Sequence, residues 1–151
     1  MKRMIVFSIL LLAAAQIARP LRLTAEVGRF APNSLAGLVL ETASGRGERM
    51  LDEVAEDTGM PDVIAGLLKD RLDDDDEDVR GVWTLNAACP LIERLASSDD
   101  TRSPRMEAAL RLLLHQARLL AGHRLGPKDL EDLAQDTSRV LSLLLSLEDE
   151  P

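Results

Sequence analysis

Residues Pro104–Leu147 read PRMEAALRLLLHQARLLAGHRLGPKDLEDLAQDTSRVLSLLLSL, and their reading decides the fold that the sequence predicts. Ser103-Pro104 is a helix start, with a serine at the N-cap and a proline at the first position, where no N–H is needed. Met106, Ala109, Leu110, Leu113, Leu114, Ala117, Leu120 and Ala121 then recur at helical spacing. Gly122 tolerates the left-handed conformation that ends a helix. Gly126-Pro127 opens a second helix, and Asp129 lies in its first turn, where the dipole favours a negative charge. Leu130, Leu133, Ala134, Thr137, Val140, Leu141, Leu144 and Leu145 form its stripe. A loop this short makes the helices antiparallel neighbours whose stripes cover each other. Arg102, Arg105, Arg111, Arg118 and Arg124 belong to the first arm while Asp129, Glu131, Asp132 and Asp136 open the second, which favours that pairing, although such exposed pairs contribute only about 0–1 kcal/mol each.

Outward from this hairpin, the rest of the chain also reads as helix. Ser34 caps a short helix over Leu35–Ala43, Glu48–Thr58 is a second that Gly59 ends, and Pro61-Asp62 starts a third with Val63, Ile64, Leu67, Leu68 and Leu72 on one face. Val79–Ala96 has Val82, Leu85, Cys89, Ile92 and Leu95 in helical register, with Pro90 forcing a kink or a division into two. Residues 19–33, containing Pro20, Gly28 and Pro32, read as extended chain or loop. The expected fold class is all-α: a small bundle of four to six helices in a single domain, 34–151, ending in a long antiparallel αα-hairpin.

Residues 1–18 have the pattern of a secretory signal. Lys2-Arg3 is basic, Met4–Ala18 is an uncharged apolar run, and Ala13-Ala14-Ala15 supplies small residues before a cleavage point. A transmembrane helix needs about 20 apolar residues, and Arg19-Pro20 ends the run early. The expected location is secreted or extracytoplasmic, the alternative being an uncleaved N-terminal anchor and membrane contact through residues 1–18 alone.

The charge of −8 among 151 residues argues against nucleic-acid binding, which depends on neutralising phosphates. Aromatic residues make up 2% with no Tyr, leaving little for base stacking. The acidic run Asp73–Asp78 fails as an EF-hand, because counting from Asp73 puts Asp78 at the sixth place and Thr84 at the twelfth. His115 and His123 lack HExxH or CxxC company, and His115 is expected on the outer face of its helix. Cys89, the sole cysteine, falls on an apolar stripe and reads as a buried thiol; exposed, it could link two copies. There is no G-x-S-x-G, no S-x-x-K and no phosphate loop, so no catalytic, cofactor-binding or metal residue is assigned and no cofactor is expected.

Trp83-Thr84-Leu85-Asn86, followed by Ala88, resembles the start of the galanin family of secreted neuropeptides, which begin Gly-Trp-Thr-Leu-Asn-Ser-Ala. That resemblance implies a precursor that releases a signalling peptide. Members of the family are cut at a dibasic site directly before the Gly, whereas here Arg80 alone precedes Gly81 and Val82 stands between Gly81 and Trp83.

The positive functional signal is a second apolar line along the hairpin: Ala108, Leu112 and Leu119 on the first helix, Leu143 and Leu147 on the second. A helix with two apolar faces is buried on both sides or meets a partner. The function expected from sequence is that of a small exported, non-enzymatic protein that binds another protein or a copy of itself through this line.

Overall fold

The computed structural model describes residues 2–72, 79–100 and 102–148. Three short segments are strands: two that the helical reading absorbs, and one within residues 19–33, which read as extended chain or loop. In β1 (Leu23–Gly28), Leu23, Ala25 and Val27 turn inward and alternate with exposed Thr24 and Glu26. β2 is Gly37–Glu41 and β3 is Gly81–Asn86. The sheet order is β1-β3-β2, so β3 lies between strands that both precede it in the chain. It runs parallel to β1, with Ala25 beside Trp83, and antiparallel to β2, with Val39 beside Trp83.

Around the sheet, the described residues form six α-helices: α1 (Lys2–Ala18), α2 (Ala43–Thr58), α3 (Asp62–Leu72), α4 (Pro90–Ala96), α5 (Pro104–Leu120) and α6 (Pro127–Glu148). The all-α expectation is therefore overturned. The predicted helix Leu35–Ala43 is mostly β2, and the predicted helix Val79–Ala96 is β3 followed by α4. Pro90 does interrupt that segment, as the first residue of α4 rather than as a kink. Short apolar runs fit either period, and β3 gives no alternation because it is buried along nearly its whole length. β1 does alternate, and its Leu-Thr-Ala-Glu-Val pattern was the available signal. The acidic run Asp73–Asp78 lies outside the described residues.

One face of the sheet carries the core. Trp83 and Leu85 are fully buried there, with Leu23 and Val39 beside them. α1 and α5 cover this face. α1 contributes Leu10, Ala14 and Ala18, one stripe at four-residue spacing and all 0% exposed, so the segment with a signal-like sequence packs into the core. From α5 come Met106, Leu110, Leu114 and Ala117. Cys89 is buried at the start of α4. No helix among the described residues is long and apolar enough to cross a membrane. The opposite face of the sheet leaves Thr24, Glu26 and Leu40 exposed.

Two close approaches fix the ends of this arrangement. Asn86, fully buried at the end of β3, donates through Nδ2 to Phe30 O and Leu35 O at 2.9 Å each, with Pro32 O at 3.4 Å. Its Oδ1 accepts from Ala88 N at 3.0 Å and Phe30 N at 3.3 Å. The side chain thus satisfies the loop that carries the chain from β1 across β3 to β2. At the other end of β3, α2 begins at the Thr42 cap, which accepts from Gly45 N at 3.0 Å and donates to Arg80 O at 3.0 Å. A Cβ on Gly45 would lie 2.1 Å from Arg80 O, so only glycine lets this helix start so close to the strand.

Asn86→Ala strips the loop of these partners and leaves buried carbonyls unpaired. It is expected to lower stability by about 3 kcal/mol, measured by urea unfolding. Leu10→Ala opens a cavity between α1 and the sheet, and a loss of about 3 kcal/mol is expected by the same measurement. An unchanged urea midpoint for Leu10→Ala would show that α1 does not pack on the sheet.

Candidate functional site

The α5–α6 hairpin exists as the sequence predicts, with Ser103 Oγ capping α5 through Met106 N at 3.2 Å and Gly122 taking a left-handed φ of 81° just after α5. Its seam differs from the prediction. α6 turns Asp129, Asp132, Leu133, Asp136, Val140 and Leu143 inward, and Asp136 is only 2% exposed. Of the stripe expected in the seam only Leu133 and Val140 stay inward, and the rest points outward: Leu130 and Leu141 are each 53% exposed, Leu144 56% and Leu145 64%. α6 is thus rotated by about one residue, roughly 100°, from the expected packing. A charge-assisted fork accounts for the turn. Arg118, on α5, places Nη1 and Nη2 3.1 and 3.2 Å from the two Asp129 oxygens, which requires Asp129 to face α5.

The predicted interaction line therefore divides. Leu112 and Leu143 are half-buried, Leu119 is 50% exposed, and the side chain of Leu147 lies outside the described residues. What the rotation leaves outward is Leu130, Ala134, Thr137, Leu141 and Leu144, all exposed. Their spacing of four, three, four and three residues is that of a coiled-coil seam. On α3 a second outward group, Val63, Ile64 and Leu67, departs from the inward face expected there, and among the side chains described on this helix only Ala65 is buried.

A charged cleft of about 580 Å³ opens where β1 and β3 start and β2 ends, against α2 and the α5–α6 loop. Glu41 accepts from Arg49 at 2.7 and 3.3 Å, and Arg49 also donates to Glu53 at 2.8 Å. Buried Glu48 is gripped by Arg22 at 3.2 Å and by Arg80. His123 Nε2 lies 2.8 Å from Glu41 Oε1 but is misaligned for a hydrogen bond. Glu41, which lines the cleft, and Glu48, buried behind its arginines, are already matched to guanidinium groups. Among the described residues no three His, Cys, Asp or Glu side chains converge as a metal site.

His115, expected at the surface, is 7% exposed in the α5–α6 seam, and its Nδ1 lacks a partner. Burial pushes its pKa below the ordinary 6.5 and the Arg118 charge adds to the shift, against the pull of Asp129, Asp136 and Asp132. His123 is likewise lowered, by burial first; Glu41 opposes this, while Arg49 and Arg118 reinforce it. The Asp129 carboxyl lies below its ordinary 3.8: burial raises it, and the Arg118 fork and Gly126 N–H outweigh that. Sequence reasoning gave no sign of the buried His115 or the half-buried His123, since neither has a neighbour in the chain that would bury it.

No family model, curated protein or solved structure matches this chain.

Because both histidines are harder to protonate folded than unfolded, the unfolded chain binds more protons once pH drops below about 6.5. The stability held above that value is then lost as pH falls toward the depressed folded values. The urea midpoint is expected to be lower at pH 5.5 than at pH 7.5, and a His115→Gln/His123→Gln variant to show a smaller drop. Identical pH profiles for the two proteins would refute the assignment.

Proposed function

We propose that this is a non-enzymatic interaction domain that docks a helix of its partner on the outward face of α6. The observation that carries this reading is the exposed seam Leu130, Ala134, Thr137, Leu141 and Leu144, which extends over most of the helix at the spacing of a two-helix contact. Apolar side chains scattered singly over a surface need no explanation, but an ordered line of them marks a place of contact. The ion pairs at the cleft support the same reading, because they leave Glu41 and Glu48 already matched to arginines. Partner recognition thus belongs to α6, while the sheet and α5 hold that helix in place.

Cysteine protection tests this directly, since Cys89 is buried and gives little background. Leu141→Cys lies in the seam and Gln135→Cys beside it on the exposed surface. Both should react with a maleimide in dilute purified protein. In cells producing the protein, position 141 is expected to be protected and position 135 to stay reactive. Equal reactivity of the two positions in cells would overturn the docking assignment.

A further inference from the structure

We infer that α1 stays folded on the sheet and lies along an anionic membrane surface, its outward face in the lipid and the body of the protein on the water side. α1 is apolar on every side: from Met4 to Ala18 only Ser8 and Gln16 are polar, and no residue is charged. A helix of that kind belongs in core or in lipid. The core takes one side, where Leu10, Ala14 and Ala18 are fully buried. At 100° per residue Ile5, Ile9 and Leu12 lie diametrically opposite, and they are 62%, 39% and 66% exposed. A second apolar side is thus turned to solvent. The small residues Ala13-Ala14-Ala15, a cleavage pattern in the sequence, are helical here with Ala14 fully buried, which shields them from a peptidase.

Charge names lipid as the medium for that side. Lys2 and Arg3 open α1 and exposed Arg19 follows its end, so basic residues bracket the apolar face where headgroups would lie. Beside Phe7, Arg29 and Glu93 line one small depression and offset each other. Residues 1–33 carry Lys2, Arg3, Arg19, Arg22 and Arg29 against Glu26 alone, whereas the whole chain has a charge of −8. An anionic surface therefore attracts this end and repels the remainder, which fixes the orientation. A protein partner would need polar groups around its contact, and the face between Arg3 and Arg19 has only Ser8 and Gln16. Because Leu10, Ala14 and Ala18 tie the helix to the core along its length, it lies along the membrane rather than across it.

Flotation of the purified full chain with vesicles of phosphatidylcholine, alone or with about one-third phosphatidylserine, reads the outcome. The wild type is expected to float with the anionic vesicles and about tenfold less with the neutral ones. Ile5→Gln/Leu12→Gln, at exposed positions, is expected to lose roughly tenfold of that binding while its urea midpoint is kept. A fluorophore sensitive to its surroundings decides the matter even if the double substitution unfolds the protein. On Leu12→Cys it is expected to shift to the blue with anionic vesicles, and on Gln135→Cys of α6 to stay unshifted. A wild type that does not float, equal flotation with both vesicles, an unshifted label at position 12 or a shift at both positions overturns the proposal. Recovery from cells of a chain that lacks α1 overturns it too. So does a dimer in vesicle-free solution that the double substitution dissociates, which would give this face to a second copy.

Discussion

The placement of β3 between β1 and β2 is the constraint on which the rest of this protein depends, and the Asn86 side chain holds it. A strand that arrives last and enters the middle needs its neighbours held apart at the right spacing. The loop joining β1 to β2 must also pass over its end. That loop turns the Phe30 and Leu35 carbonyls toward the buried Asn86 side chain, which donates to both while accepting from Phe30 N and Ala88 N. An apolar residue of similar size would leave these groups unpaired at a cost of about 1–3 kcal/mol each. A single polar side chain thus ties together segments more than fifty residues apart.

Once the sheet is closed, its inner face is a short apolar platform headed by Trp83 and Leu85. α1 and α5 lie across it, and the small residues Ala14, Ala18 and Ala117 let the helices approach closely. At the start of β3, glycine performs the same service for the backbone. Gly45 admits α2 against Arg80, and a Cβ on Gly81 would lie 2.6 Å from Leu40 O. The charged network of Glu48, Arg22 and Arg80 sits beside these contacts and joins α2 to the sheet by long-range ion pairs.

The same electrostatics that complete the fold shape its outer surface. By drawing Asp129 onto α5, the Arg118 fork turns α6 so that a mixed stripe of three aspartates with Leu133, Val140 and Leu143 meets the body of the protein and Leu130, Leu141, Leu144 and Leu145 meet solvent. His115 and Asp136, both buried in that seam with an unpartnered polar atom, show that the packing is not the most apolar one available to these helices. Burying such groups costs free energy that leucine contacts would not. The same packing leaves the apolar face of α6 outward, the face proposed above as a docking surface.

By itself, the sequence determined the local features: the α5–α6 hairpin, the Ser103 cap, the left-handed Gly59 and Gly122, the breaks at Pro90 and Pro127, and the burial of Cys89. These depend on residues within a turn or two of one another. Tertiary structure alone decided that Leu38, Val39 and Trp83 lie in strands, since short apolar runs take the conformation that their neighbours in space impose. It also decided that α1, for all its resemblance to a signal sequence, packs on the sheet. Which face of α6 turns inward was settled there too, because helical spacing marks an apolar stripe but cannot weigh it against an arginine fork between residues on separate helices.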